Sequence, residues 1–445
     1  METLSGCSNS LTPVLVKQYL QYIRKRGLFT GMNLHPQDGV FRRDRITNVS
    51  LVILCRSFNA LTMGGIALFL PLIRKDLEMT FTQGGTLSAA STLVYALMQI
   101  PAGYLTDRFG AKRVFVVGVL GTTILALTFG LVTDYGQALV NQTLSGAFRA
   151  LLFAPGLSLM TGWFPPEKRA TAMGLSAISG FSGNVLLDII GPLLVAQFDW
   201  RFPFLVFPPI GIVAALVFWR LGKEPRTAGQ GRKANIHEVL QLFRSRLMWV
   251  CGVIQYVRLG VAQGIAFWLP SLLVDEKGLS LQITGLIIAL RAVLIAPSNI
   301  LGGYASDRLK NPTLVIAISL IVLMVTTSLL VILNNIILLV VVIAVNSIFV
   351  QMYFGPLFAL PVEILGDRTA GTSTGFGNLF ANVGAFTCIY LLGVLKDATG
   401  FFLTGFFAVA IACVVGLGFT LLLARMRRAA LAPPAMNQVK ATQIP

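Results

Sequence analysis

Charge is scarce in this chain of 445 residues. Asp, Glu, Lys and Arg make up 12% of it, against about 25% in ordinary soluble domains. Together with 55% apolar residues and a mean hydropathy of +0.77, that deficit excludes both a water-soluble enzyme and a disordered chain. Histidine is nearly missing. His35 and His237 are the two in the sequence, both in polar stretches, so His-based catalysis or metal binding has almost no raw material. Cysteine is sparse too. Cys7, Cys55, Cys251, Cys388 and Cys413 form no CxxC pair, which argues against a disulfide framework or a zinc site. No P-loop, nucleophile motif or metal-ligand cluster is found. The expectation is a protein that is not an enzyme, needs no cofactor and no metal, and is driven by gradients rather than by ATP.

What the sequence holds in abundance is long apolar runs. A membrane-crossing helix needs about 20 mainly apolar residues. Twelve such segments are predicted, at 48–72, 84–105, 114–133, 137–162, 170–196, 202–221, 248–274, 281–304, 313–333, 336–360, 371–395 and 400–424. The fold expected is an all-α membrane protein of twelve transmembrane helices.

Orientation follows from the basic residues. With the N-terminus inside, 25 of the 35 Lys and Arg fall in inner segments. The outer loops hold five, Arg74, Lys75, Arg201, Lys277 and Lys396. Both termini are therefore expected in the cytoplasm. This asymmetry explains most of the net charge of +17 without any nucleic-acid partner.

The division predicted is a basic N-terminal segment 1–45, a six-helix bundle 46–221, a cytoplasmic linker 222–247, a second bundle 248–424 and a tail 425–445. The head shows no apolar core of a signal peptide near Met1. Its stretch Leu11 to Phe29 fits a short amphipathic helix on an anionic leaflet and equally a disordered basic tail. An internal repeat supports the two bundles. GYLTDRFG at 103–110 and GYASDRLK at 303–310 lie 200 residues apart, and EKRATAMG (167–174) and GDRTAGTSTG (366–375) each open a fifth helix. Repeats related by an axis along the membrane normal are a transporter architecture.

Gly103, Asp107, Arg108, Gly110, Lys112 and Arg113 form a GxxxDRxGxKR pattern that resembles the loop 2–3 signature of the major facilitator superfamily. Asp307 and Arg308 carry its weaker echo in the loop 8–9 position. With the twelve predicted spans and the central basic linker, the resemblance covers residues 46–425. It implies the major facilitator fold of two pseudo-symmetric bundles. It also implies that these Asp and Arg side chains close the cytoplasmic ends when the carrier opens outward. A role in topology alone is the plainer reading of the same loop. Within the superfamily, TQGGTLSAASTLVYALMQIPAGYLTDRFG (82–110), WFPPEKRATAMG (163–174) and DWRFPFLVFPPIG (199–211) look most like the anion:cation symporters that move organic acids. Two departures stand out. Cys55 takes the place of an Asp beside Arg56, and Gly156 stands where a helix 4 carboxylate is common. Those carboxylates serve proton coupling in the family, so the usual coupling groups are missing.

Four arginines fall inside predicted spans: Arg56 (helix 1), Arg149 (helix 4), Arg258 (helix 7) and Arg291 (helix 8). Each costs about 2.5–3.5 kcal/mol at a helix centre, about 10–14 kcal/mol for the four. They are expected to face a water-filled cavity or partners. Asp188 on helix 5 is the one acid deep in the core, with Glu363 nearer an end. The cationic excess points to an anionic passenger, since guanidinium grips carboxylate in a bidentate fork. Polar stripes extend the candidate site. They run through Ser88, Thr92, Tyr95 and Gln99 on helix 2, Asn141, Ser145 and Arg149 on helix 4, and Ser176, Gly180, Asn184 and Asp188 on helix 5. Gln255, Tyr256 and Gln263 on helix 7 and Thr374, Asn378 and Asn382 on helix 11 complete them. The substrate-binding candidates are Arg56, Asn59, Tyr95, Gln99, Arg149, Gln255, Tyr256, Arg258, Arg291 and Asn378. Helix–helix packing is the competing reading of every stripe. Asp188 is the candidate for proton coupling, with a static pair to Arg149 as the alternative.

The function expected is secondary active transport of a small organic anion by alternating access, with a proton as the candidate coupling ion. Nitrate/nitrite-like transport, anion exchange and uniport are alternatives. A non-transporting sensor on the same fold is the alternative of another class. A monomer in the lipid bilayer is expected, in the inner membrane if the source is bacterial.

Overall fold

The computed structural model describes residues 36–164, 169–224, 244–365 and 370–431. Within them, the side chains of 36–43, 62–63, 169–179, 181, 296, 359, 361–365, 370–374 and 429–431 are outside the description. Several expectations therefore lie outside it. These are the N-terminal stretch 11–29, most of the linker 222–247, the end of the tail, His35 and His237, and the side chains of Ser176, Glu363 and Thr374. The chain divides into two units, residues 1–47 and 48–445. The described part of the first, 36–47, is the start of a helix.

The described residues form twelve helical rods. α1 is Pro36–Met63, continued past a break at Gly64 as Gly65–Asp76. There follow α2 (Phe81–Phe109), α3 (Ala111–Phe129), α4 (Tyr135–Thr161), α5 (Arg169–Gln197) and α6 (Phe202–Leu221). α7 is Arg246–Ser271 and runs on as a π-helical turn, Leu272–Glu276. α8 is Leu281–Leu309, α9 is Pro312–Ile332, α10 is Ile336–Met352 with Phe354–Leu365, α11 is Ala370–Thr399 and α12 is Phe402–Leu431. Ten of these rods are long and apolar enough to cross a membrane. α2 is not among them, and α5 enters only through its shorter apolar part, Ser182–Gln197. α2 carries the polar stripe read from the sequence, which lowers its hydropathy without shortening the helix.

Local chemistry sets the rod ends. Thr80 begins α2 with a full capping box, accepting from the Gln83 N–H while the Gln83 side chain accepts from the Thr80 N–H. Asp134, Ser280, Asn311 and Asn335 cap α4, α8, α9 and α10 in the same way on their own first turns. Such caps satisfy N–H groups that helix geometry leaves without partners. Gly110 joins α2 to α3 at φ +88°, a region open to glycine and strained for other residues.

The sequence repeat reappears in packing. In the first six rods, here the N-half, α2 and α3 pack on α4, and α3 on α6. In the last six, the C-half, α8 and α9 pack on α10, and α9 on α12. Small residues allow the closest crossings. Gly183 of α5 lies against the Ser57 carbonyl of α1, and Gly384 of α11 lies against the Tyr256 carbonyl of α7, too close in both cases for a side chain. These two contacts are equivalents under the repeat.

The outer part of α1 packs on α7 across the halves, and two longer seams join them, α2 against α11 and α5 against α8. They too are equivalents. A side chain at Gly85 of α2 would meet the Ile389 carbonyl of α11 at 3.0 Å, and one at Gly285 of α8 would collide with the Asp188 carbonyl of α5. Both seams lie toward the outer ends of their helices in the predicted orientation. At the inner ends, Ile100, Tyr104, Ile300 and Tyr304 are exposed, and Gly103 and Gly303 have no neighbour within 4 Å to obstruct a side chain. In that predicted orientation, closed outer seams and exposed inner ends correspond to an inward-facing arrangement.

Candidate functional site

Three of the predicted residues gather in the N-half around Tyr95. The Arg149 guanidinium of α4 lies over the Tyr95 ring, 4.7 Å from its centroid. Arg56 of α1 is the second cation within electrostatic reach of Tyr95, and Gln99, one turn further along α2, is hydrogen-bonded to it. Gly156 of α4 completes the corner. A side chain there would reach Arg56 Nη1 at 3.4 Å. The position where a carboxylate was expected by resemblance is thus directly beside Arg56, with the Phe115 ring packed against it. Two guanidiniums converging on one tyrosine form a strongly electropositive wall, suited to an anion with hydrogen-bond acceptors.

A second group sits in the C-half. Arg258 is 3% exposed. Its Nε donates to Gln255 Oε1 at 2.7 Å, one turn away on α7. The guanidinium lies over the Phe354 ring at 4.9 Å and the Phe358 ring at 5.8 Å, both on α10. Tyr353 is fully buried nearby, and its hydroxyl has no hydrogen-bond partner. This aromatic cradle was not read from the sequence. Its signal was the YFGPLF run at 353–358, which falls where α10 breaks at Tyr353. Asn378 follows Gly377, whose position faces the Gln255 side chain, and the Asn378 carbonyl accepts from the Asn382 amide at 2.8 Å.

The third group spans the halves. Arg291 of α8 is buried, and Asp188 of α5 is the acid within its electrostatic reach. The alternative partner considered for Asp188, Arg149, is instead engaged with Tyr95. Helix pairing across the halves decides this, and no local pattern in the sequence encodes it.

Other predicted residues belong elsewhere. Asn59 Nδ2 donates to Thr122 Oγ1 at 2.5 Å, so Asn59 ties α1 to α3. Asn141 donates to the Leu125 carbonyl and to Thr128 Oγ1, both at 2.9 Å, so it ties α4 to α3. Tyr256 lines an apolar groove with Gly384, Cys388 and Ala412, between α7, α11 and α12. For Asn59 and Asn141 these contacts fit the packing reading. An amide stripe has the same spacing whether it faces water or a neighbouring helix.

The loop signature is at the inner surface. Asp107, Arg108, Arg113, Asp307 and Arg308 are exposed. Arg108 Nη1 donates to the Tyr104 hydroxyl at 3.2 Å. Glu224, at the start of the linker, accepts from the Lys112 N–H at 3.0 Å and abuts Gly110, so it caps α3. That cap was not predicted.

The outer end carries further groups the sequence reading missed. Asp397 of α11 accepts from the backbone N–H of Phe81 at 2.9 Å and of Thr82 at 2.6 Å, so a C-half carboxylate caps the N-half helix α2. Arg74 stacks on Phe81, 3.3 Å from its centroid. Trp268 donates to the Ile389 carbonyl at 2.9 Å. Lys396 pairs with Glu276 at 2.5 Å, and Arg201 pairs with Asp76 at 2.7 Å. The outer basic residues are thus largely committed to holding that end together.

The sequence profile of the Major Facilitator Superfamily matches residues 52–388 and, in an overlapping stretch, 259–441. The chain is 23% identical over 389 residues to a hexuronate transporter of Bacillus subtilis, covering 82% of this chain and 90% of that protein. It is 22% identical over 396 residues to a D-galactonate transporter of Escherichia coli, covering 80% and 90%. It is 29% identical over 282 residues to a probable nitrate/nitrite antiporter of Thermus thermophilus, covering 60% and 62%. Among solved structures, a bacterial homolog of the human lysosomal transporter Spinster, inward-facing and unoccupied, superposes with a TM-score of 0.77 at 17% identity, covering 88% and 99%. That likeness shows the same fold. The chain belongs to the Major Facilitator Superfamily and is an integral multi-pass membrane transporter, not an enzyme.

Proposed function

We propose that this protein carries a small organic anion across the membrane by alternating access, with the passenger held first by Arg56, Arg149 and Tyr95. The observation that carries the reading is the convergence of two guanidiniums on one tyrosine within the apolar spans. Two guanidiniums share one tyrosine, and the helix position beside Arg56 is a glycine instead of an acid. Half-buried cations within membrane spans are tolerable where they meet water, polar neighbours or an anion. Arg258, Gln255 and Asn378 offer a second wall on the C-half. The relatives named for hexuronate, D-galactonate and galactarate/D-glucarate transport support a sugar acid as passenger.

The mechanism is rocking of the bundle 46–221 against 248–424, with twelve spans and both termini in the cytoplasm. The 103–113 loop and its echo at 307–308 would engage across the halves when the inner ends close. Uptake of radiolabelled D-glucuronate, D-galactonate and D-glucarate into proteoliposomes tests it. At least one acid is taken up by the wild type, and Arg56→Ala and Arg149→Ala each reduce that uptake by at least about tenfold, the loss of one charge-assisted contact of about 1.4 kcal/mol or more. Uptake untouched by both substitutions would sink the arginine site.

An inorganic passenger is the second reading, favoured by the similarity to the nitrate/nitrite antiporter. Nitrate in the same assay decides between them. A membrane sensor would show no flux with any of the four anions.

A further inference from the structure

We infer that Asp188 and Arg291 form a cross-half coupling pair, in which a proton on Asp188 leaves the Arg291 charge free for the passenger's carboxylate, so that proton and anion load together. This rests on the anion reading above and adds to it the place and the sign of coupling.

Geometry carries the inference. Asp188 is 6% exposed and Arg291 8% exposed, on helices of opposite halves. Gly285 lies against the Asp188 carbonyl, so α8 crosses α5 at this level too closely to admit a side chain. Yet the two side chains form no ion pair within 4.0 Å among the described residues. Arg291 makes one long hydrogen bond, from Nη2 to the Ala262 carbonyl at 3.4 Å. Its Nε is buried with no partner, and so is the hydroxyl of Thr284, two turns earlier on the same face of α8. Buried donors left open are rare in native proteins and call for an occupant. A guanidinium and an acid on facing helices, with an open hydroxyl two turns away on α8, suit a carboxylate that arrives with a proton.

The repeat sharpens the point. The equivalent seam, α2 against α11, has Ser91 where α8 has Arg291, and Cys388 and Ile389 where α5 has Asp188. At this level one of two otherwise matching seams is charged and the other is not. Packing alone would not require that difference.

The surroundings are simple enough to fix the sign. Arg291 is the charged or titratable group that reaches Asp188 among the described residues. α4, which also packs on α5, contributes Arg149, and that group is turned to Tyr95. The other rods packed on α5 are α6 and α1, whose Ser57 carbonyl lies against Gly183; the Arg56 of α1 reaches Tyr95, and neither rod presents a charged group to Asp188. With Asp188 ionised, its charge offsets that of Arg291 and repels an incoming anion. With Asp188 protonated, the cation is unopposed. Proton binding thus raises anion affinity, and by linkage the anion raises proton affinity by the same factor.

The test uses purified full-length protein in proteoliposomes, with the sugar acid the wild type exchanges fastest among D-glucuronate, D-galactonate and D-glucarate. The readout is the steady-state accumulation ratio under an imposed pH gradient, which reports coupling and not speed. One pH unit, alkaline inside, drives about tenfold accumulation by the wild type, the proton gradient converted directly. Asp188→Asn brings the ratio to unity, and Asp188→Glu restores it. A second measurement covers a slow or inactive variant. In detergent, with a pH-indicator dye, binding of the same acid draws protons from solution with the wild type and draws none with Asp188→Asn. A wild type that exchanges no acid contradicts the anion reading itself. A wild type that exchanges without accumulating, an Asp188→Asn protein that still accumulates, or proton uptake unchanged by that substitution overturns the pair and leaves the anion reading standing.

Discussion

Gly156 is the residue on which the electrostatics of the N-half turn. A side chain placed there reaches the Arg56 guanidinium at 3.4 Å, with the Phe115 ring at 3.1 Å needing to shift slightly. Gly156→Glu would supply an internal carboxylate to Arg56 and compete with the passenger for it. Sugar-acid affinity is expected to fall by at least about tenfold, on the order of 1.4 kcal/mol, with the protein still folded by circular dichroism. Equilibrium binding to detergent-purified protein measures this. Unchanged affinity would mean that Arg56 does not meet the anion. The residue scale is also where sequence reading was weakest. Arginine inside an apolar run is legible because hydrocarbon makes it costly. Asn59 and Asn141 are not legible in the same way, since an amide satisfies itself against a neighbouring helix as readily as against water, and the spacing along its own helix is identical.

At the scale of elements, the outer seam between α2 and α11 is held by an unusual division of labour. The capping box of α2 comes from its own sequence, while the next two N–H groups are satisfied by Asp397 of the other half. Carboxylates at helix N-termini are favoured by both hydrogen bonding and the helix dipole. The contact exists only while the outer ends are together, so it weights the inward-facing state. Asp397→Ala removes a cap of about 1 kcal/mol, which moves the balance toward the outward-facing state by about fivefold. Spin labels at Lys75 and Ala398, both exposed, read this as growth of a longer-distance population by double electron–electron resonance. An unchanged distance distribution would show that the cap does not bias the equilibrium. The rods themselves were legible to within a few residues, because about 20 apolar residues between charged breaks leave few alternatives. The cap was not legible, because residues 82 and 397 meet only after two bundles have assembled.

For the whole molecule, the repeat visible as GYLTDR and GYASDR governs more than one loop. It pairs α2–α4 with α8–α10, Gly183 with Gly384, and the seam at Gly85 with the seam at Gly285. Symmetric scaffolding with asymmetric charge follows. Arg56 and Arg149 meet at Tyr95 in one half, Arg258 is enclosed by Phe354 and Phe358 in the other, and the Asp188–Arg291 pair lies on one of two equivalent seams. The sequence disclosed the scaffold and the excess of cations. It did not disclose how those cations are grouped, since that depends on which helix faces which.

The most direct test of an anion-binding centre is paired calorimetric titration of the purified protein with acids and their uncharged counterparts: D-glucuronate against D-glucose, D-galactonate against galactitol, and D-glucarate against glucitol. The account predicts that at least one acid binds and that its neutral counterpart binds at least about 100-fold more weakly, roughly 2.7 kcal/mol for the lost carboxylate–guanidinium contacts. A neutral polyol or sugar bound as tightly as its acid would contradict it.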